Sequence, residues 1–154
     1  MPDQNPFVLF EIFTEIGIIE QLSRALLEAR LPDGMIAPHF AVLNHLTRVG
    51  DGRTPIELAR AFQVPKTSMT HTLKMLEKRR MIETRPNPED GRSKQVWITE
   101  LGRETREEVI HKSAQELQTM AQHLDMSAIQ SAHPILTELR KFLDANRENA
   151  DRPN

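Results

Sequence analysis

The sequence predicts a mainly α-helical fold that carries one small β-hairpin. Apolar residues recur every three to four positions in the first thirty residues, as in an amphipathic helix. The segment "TPIELARAF" combines three helix-start signals, and "RPNPEDGRSKQVWIT" places an Asp-Gly turn before a β-branched and aromatic arm. These three observations predict helices on either side of a hairpin.

Length and composition limit the chain to one domain without cysteine chemistry. We treat residues 1–154 as a single domain, since that length suffices for one hydrophobic core. The absence of cysteine excludes disulfides, thiolate nucleophiles and thiol redox sensors. The start "MPDQNPF" lacks the basic segment of a signal peptide, and acidic residues interrupt the apolar run after it. We therefore expect a cytoplasmic protein without membrane association.

Two helices are predicted in the N-terminal third. The first runs from about Pro6 to Ala29, and its apolar stripe extends along the whole length. The turn sequence "LPDG" ends it, and a second helix begins near Pro38 and stops near Gly50. A stripe of this length indicates that a partner chain covers it.

A helix-turn-helix is predicted next. Thr54 is a favourable N-cap, Pro55 suits the first helical position, and Glu57 completes a capping box. After the connector "QVP", the second helix has a polar face of Ser, Thr, His and Lys, although Ser and Thr are only fair helix formers. Such hydroxyl and ammonium groups suit DNA phosphates and base edges in the major groove. The candidate DNA-binding residues of this helix are Lys66, Thr67, Ser68, Thr70, His71 and Lys74.

The hairpin that follows makes the motif a winged helix. Its tip is more basic than a turn requires, and the carboxylate of Asp90 is expected to hold the guanidinium of Arg92 for entry into the minor groove. A hairpin and preceding helix that bind DNA would also explain why basic residues are concentrated in this part of the sequence. The segment from Lys66 to Lys94 holds eight basic and four acidic residues, against twelve basic and eighteen acidic residues elsewhere. The candidate wing residues are Arg85, Asp90, Arg92 and Lys94.

The C-terminal third is predicted to be helical. Thr99 is expected to cap one long helix that reaches Leu124, and Ser127 with Gln130 to open a last helix, which Pro134 either kinks or starts. We assign residues of about 1–30 and 100–146 to dimerisation, 36–99 to the winged helix, and 147–154 to a frayed polar tail. The candidate dimerisation residues are Leu9, Ile12, Phe13, Ile16, Leu136, Leu139 and Leu143.

In this order, the segments "PHFAVLNHL", "TPIELARAF", "TSMTHTLKMLEKRRMI" and "PEDGRSKQVWITELGR" resemble the MarR (multiple antibiotic resistance regulator) family of winged-helix transcription factors. The resemblance covers nearly the whole chain. It implies an obligate homodimer, a pseudo-palindromic operator, an acid that holds the wing arginine, and release of DNA by a small anionic, often aromatic, compound. Many relatives have Gly where this chain has Gln63 and Arg80, and Ser where it has Pro65.

Other classes of function find less support. The six histidines lack the spacing of a zinc signature, and no nucleophile–base pair, carboxylate dyad or phosphate-binding glycine loop is present. We therefore expect no cofactor, no metal and no enzyme activity. The first hypothesis is a dimeric, ligand-responsive DNA-binding regulator that acts as a repressor. The alternative is a winged-helix dimer that binds a protein as an adaptor.

Overall fold

A computed structural model describes residues 5–150 and confirms the mainly helical fold with one hairpin. The elements in chain order are α1 (Phe7–Glu28), α2 (Ala37–Val49), α3 (Pro55–Phe62), α4 (Lys66–Lys78), β1 (Ile82–Pro86), β2 (Lys94–Ile98), α5 (Glu100–Lys112), α6 (Ala114–His123) and α7 (Met126–Ala150). The chain divides into two compact units with the boundary after Ser113, and each is described by itself. No described helix is long and apolar enough to cross a membrane.

The hydrophobic core of the first unit lies within the winged helix. It is built from α2, α3, α4 and both strands, and its largest fully buried side chains come from all five elements. Full burial of each such side chain contributes about 1.5–3 kcal/mol. The core residues are Met35, Val42, Leu43, Leu46, Leu58, Ala59, Met69, Leu73, Leu76, Met81, Ile82, Val96 and Ile98.

The helix-turn-helix begins and turns where the sequence predicts. Thr54 accepts a hydrogen bond from the backbone N–H of Glu57, and the Glu57 carboxylate accepts one from the N–H of Thr54 at 2.7 Å, which completes the capping box. Gln63 ends α3 with φ +50°, and Arg80 follows α4 with φ +58°. Both positions therefore have the left-handed conformation that favours glycine, at a cost of about 1–2 kcal/mol each.

The wing is an antiparallel hairpin with a short third segment at its base. Register pairs Ile82 with Ile98, and alternate residues of β2 are buried, as the alternation of the sequence predicts. Arg53 forms a bridge to Val96, whose N–H donates to the Arg53 carbonyl at 2.8 Å. The loop between α2 and α3 thereby joins the edge of β2.

The start of α5 lies close against the residues that follow α4. Thr99 caps α5 by accepting from the N–H of Gly102, and its hydroxyl donates to the Arg80 carbonyl at 2.7 Å. Gly102 is buried so closely that a Cβ there would collide with the Met81 carbonyl oxygen and lie 2.8 Å from Ile98 Cγ1. A side chain at this position is excluded by backbone, which cannot easily move away.

Two expectations for the C-terminal third are corrected. The single long helix expected after Thr99 is two helices, with the break at Ser113, whose backbone N–H donates to the carbonyls of both Val109 and Ile110 as at a helix end. Ser127 does not cap the last helix, since Asp125 Oδ1 accepts from the N–H groups of Ser127 and Ala128.

The last helix is longer than expected. Pro134 lies inside α7, so it does not start the helix. The helix continues through Ala150, so residues 147–150 of the expected frayed tail are helical, in a stretch without glycine or proline to end it. Residues 151–154 of that tail lie outside the described residues.

We predict that Gly102→Ala lowers the free energy of unfolding by about 1–3 kcal/mol, as overpacking against fixed backbone does. The control is Gly91→Ala at the wing tip, where a Cβ meets nothing within 4 Å. That change is expected to stay within about 0.5 kcal/mol of the parent. Urea unfolding followed by circular dichroism measures both, and equal stabilities of the two variants would contradict the prediction.

Candidate nucleic-acid interface

The polar face of α4 is presented to solvent by the core beneath it. Met69, Leu73 and Leu76 are buried and fix the rotation of the helix. Each of the predicted positions on the opposite face is exposed. These positions are Lys66, Thr67, Ser68, Thr70, His71 and Lys74. The structure therefore brings together on one face the residues that the sequence nominated.

The side chains of this face differ in the hydrogen bonds they can offer. The Thr70 hydroxyl donates to the Lys66 carbonyl at 2.8 Å, so toward solvent it presents lone pairs as an acceptor. Within the described part of the chain, the ammonium groups of Lys66 and Lys74 form no ion pair and remain available to an anion. The face therefore combines two free cations with short hydroxyl groups.

The wing tip is ordered by its own hydrogen bonds. Asp90 Oδ1 accepts from the backbone N–H of Arg92 at 3.0 Å, and the Asp90 carbonyl accepts from the N–H of Ser93. Asn87 donates from its side chain to the Ser93 hydroxyl at 2.9 Å and accepts from the N–H of Glu89. The tip is thus an Asx-type turn closed by Asn87 and Ser93, two residues that the sequence analysis passed over.

Asp90 and Arg92 are in contact, but through other atoms of Arg92 than the sequence predicted. The carboxylate binds the Arg92 backbone N–H and not the guanidinium, because a carboxylate at this turn position reaches the amide two residues ahead. The guanidinium of Arg92 is exposed and has no ion-pair partner among residues 5–150. Asp90 therefore fixes the backbone from which a free guanidinium extends.

Arg85 occupies a different environment from the other candidate wing cations. Its guanidinium pairs with Glu83 at 2.5 Å and lies over the Trp97 ring at 4.2 Å from the centroid. Residues two apart on a strand share a face, which brings Arg85 and Glu83 together, and the phosphate contact expected of Arg85 stays a prediction. Lys94, at the start of β2, is exposed as expected.

The geometry provides a helix with free cations and hydroxyls beside a basic, internally braced hairpin. This combination suits a polyanion with grooves, because short donors reach base edges and cations reach phosphates. No three His, Asp or Glu side chains in the described ranges are close enough to share a metal ion.

Comparison with known proteins finds a family that this architecture resembles. A sequence model of the MarR family matches residues 33–93, which span the loop before α2, the helix-turn-helix and the wing up to Ser93. The matched residues make up the winged-helix part of the chain, which is therefore similar to the MarR family.

Solved structures of MarR-family proteins share the fold of this chain. Wild-type MarR from E. coli in its apo form has a TM-score of 0.69 and 26% identity, with 82% of this chain and 94% of that chain covered. A MarR mutant from E. coli complexed with operator DNA has a TM-score of 0.67 and 24% identity, over 86% and 96% of the two chains.

A third neighbour is BpsR from Bordetella bronchiseptica, solved in a study of the regulation of its DNA binding by 6-hydroxynicotinic acid. It has a TM-score of 0.67 and 20% identity, over 84% of this chain and 98% of that one. The family and its structural neighbours are transcription regulators.

Buried His39, at the start of α2, is a further polar group of this unit. Its Nδ1 accepts from the backbone N–H of Ile36 at 3.0 Å and so caps the start of α2. Burial lowers the pKa of His39, and the positive charges of Arg79 and His71 lower the pKa further. His39 was not singled out for this role, although a polar residue three positions after a helix start is a recognisable capping signal.

We predict that His39 makes stability pH-dependent. Its folded pKa lies below the ordinary 6.5, so the unfolded chain binds more protons near that pH. The contribution is fully present above about pH 6.5 and is lost as the pH falls toward the folded pKa. Unfolding by urea between pH 7.5 and 5.5 measures the slope.

His39→Gln is the matched variant, because Gln can accept the same backbone hydrogen bond without titrating. We expect a smaller slope that does not vanish, since burial also lowers the pKa of His45. A slope in His39→Gln as steep as in the parent would contradict the assignment.

Proposed function

We propose that this protein is a sequence-specific transcription regulator that acts as a homodimer on a pseudo-palindromic operator. In the proposal, α4 enters the major groove and the wing tip enters the adjacent minor groove. The proposal rests on two exposed features of the same unit. One is the face of α4 that carries hydroxyl groups together with lysines that are unpaired within the described residues, and the other is Arg92 on a hydrogen-bonded turn. The E. coli MarR mutant, which was solved in complex with operator DNA, supports operator DNA as the ligand.

The division of roles follows from side-chain chemistry. Thr67, Ser68, Thr70 and His71 are assigned to base edges, where hydroxyl and imidazole groups can distinguish bases. Lys66, Lys74 and Lys94 are assigned to phosphates, which carry no sequence information. Arg85 is assigned a smaller contribution than Arg92, because Glu83 already neutralises much of its charge.

Unburied apolar surface supports the homodimer. No residue of α1 is buried, although Leu9, Ile12, Phe13 and Ile16 lie along it and are between 37% and 47% exposed. In the second unit, Leu136 and Leu143 of α7 are 45% and 49% exposed, and Leu139 is half-buried. Apolar helices of this length are stabilised by a second copy, in an obligate interface of roughly 2,000 Å² or more.

The proposal includes an effector and a direction of control. We assign a small anionic, aromatic compound as effector, and the regulation of BpsR by 6-hydroxynicotinic acid supports this chemical class. Such a compound weakens DNA binding only if it binds the DNA-free conformation more tightly. We assign repression as the direction of control, because a dimer on its operator would exclude other proteins from the same DNA. We assign the protein to the cytoplasm.

Electrophoretic retardation with DNA from upstream of the protein's own gene tests the function. Steep weakening with salt together with one preferred sequence supports the regulator. Binding that is absent, or equal for all sequences, supports the alternative of a protein-binding adaptor. A screen of small aromatic acids for a rise in melting temperature tests the effector, since a ligand of the folded state stabilises it.

We predict that Arg92→Ala weakens operator binding by about 1–3 kcal/mol per half-site. The loss should be larger with A·T-rich flanks than with G·C-rich flanks, because the narrow minor groove of A·T-rich DNA attracts arginine most strongly. Lys112→Gln, which removes a cation on α5 outside the interface, is the control. If Arg92→Ala and the parent bound both operators with equal affinity, the wing would not be part of the DNA interface.

We predict that Ile16→Asp dissociates the dimer or unfolds the protein, because it buries an unpaired charge. Thr14→Asp is the control, since Thr14 lies on the opposite face of α1. Sedimentation at micromolar concentration should show a dimer for the parent and the control, and a monomer or unfolded chain for Ile16→Asp. A folded parent monomer would rule out the obligate dimer.

A further inference from the structure

One carboxylate joins three segments at the base of the wing. Asp51 lies in the loop between α2 and α3, and its side chain is only 16% exposed. Its Oδ1 accepts from the backbone N–H of Ile98, the last residue of β2, at 2.7 Å. Its Oδ2 accepts from Arg103 Nη2, in the first turn of α5, at 2.9 Å. The sequence analysis assigned no role to Asp51 or Arg103.

The same loop is bonded to β2 by its backbone. The N–H of Gly52 donates to the Val96 carbonyl at 2.9 Å, and the N–H of Val96 donates to the Arg53 carbonyl. On the other strand, the Thr84 hydroxyl donates to Glu77 of α4 at 2.9 Å. Nearer the tip, Asn87 bonds to Ser93 and Arg92 bonds to Asp90, both within the hairpin itself.

The wing is therefore attached to the rest of the fold at its base, so that a small rotation at the base displaces the tip. Arg92 lies six residues from Ile98, a reach of roughly 20 Å at about 3.3 Å per strand residue. A rotation of about 10° at the base would move the tip by roughly 3–4 Å. A displacement of that size exceeds the tolerance of a guanidinium that must fit a groove only about 6 Å wide.

We propose that the Asp51–Arg103 ion pair is a positioning element that sets the angle of the wing relative to α4. Charge-assisted hydrogen bonds of this kind are short and directional, so the pair fixes geometry as well as adding stability. Asp51 and Arg103 act through the wing and do not themselves bind DNA. This inference rests on the proposed function for its effect on DNA, but the positioning itself is measurable without DNA.

Two substitutions break the pair from opposite sides. Arg103→Gln removes the cation, whereas Asp51→Asn keeps an oxygen for the Ile98 N–H and places an amide against Arg103. Arg103→Lys retains the charge and is the rescue variant. Lys112→Gln is the matched control, because it breaks an ion pair with Glu108 on the same helix, away from the wing.

The wing contains its own reporter, since Trp97 is the one tryptophan of the chain and lies next to Ile98 on β2. In native full-length protein without DNA, acrylamide quenching of Trp97 should rise in Arg103→Gln and Asp51→Asn. It should remain at the parent value in Lys112→Gln and return toward that value in Arg103→Lys. Far-UV circular dichroism must remain native in each variant for the comparison.

A double-mutant cycle with Arg92→Ala measures the effect on DNA. Arg103→Gln and Asp51→Asn should each weaken operator binding by roughly five-fold in the parent, and by less than about two-fold in the Arg92→Ala background. Such coupling arises only if the pair acts through the placement of Arg92.

Three results would overturn the proposal. They are unchanged Trp97 quenching in both variants, losses of affinity that add to that of Arg92→Ala, and a loss in Arg103→Gln without one in Asp51→Asn. The last result would make Arg103 a direct DNA contact. Failure of the parent to prefer any DNA sequence would refute the proposed function, while the quenching experiment would still decide whether the pair positions the wing.

Discussion

The hydrophobic core between α2, α3, α4 and the hairpin is the constraint on which the rest of the structure depends. Leu43, Leu58, Leu76, Ile82 and Val96 come from five different elements and are fully buried against one another. Their packing fixes which face of α4 is turned inward, and therefore which residues remain for a ligand. The polar face of α4 is a consequence of the apolar stripe opposite it.

The same core also explains what is left uncovered. It draws on residues 35–98 and takes no side chain from α1, whose apolar residues remain exposed in the single chain. In the second unit, α6 likewise has no buried residue. Because exposed apolar helices of this length cost solvation free energy, the proposed homodimer completes a structure that one chain leaves unfinished.

Some cationic side chains form ion pairs, hydrogen bonds or ring contacts among the described residues, whereas others do not. Arg85 is committed to Glu83 and Trp97, Arg103 to Asp51, and Arg106 to Asn44 and Glu107. In contrast, the exposed Arg92 sits on a turn whose hydrogen bonds are made by backbone and small polar side chains. The cationic side chains with partners in the chain stabilise the fold, whereas the exposed ones without such partners lie where an anion can approach.

The sequence by itself determined the elements whose signals are local. The capping box at Thr54, the apolar stripe of α4 and the alternation of β2 each depend on neighbouring residues, so their positions were predictable. The similarity to the MarR family was also recognisable, because the motifs that carry it are local and occur in a fixed order. Five helix starts and the whole exposed face of α4 followed from such signals.

Tertiary structure decided the features that depend on distant residues. The contact of Arg85 with the Trp97 ring, the close approach at Gly102 and the Asp51–Arg103 pair join residues that sequence spacing does not bring together. Asp51 and Arg103 are 52 positions apart, so only the folded core could make them neighbours.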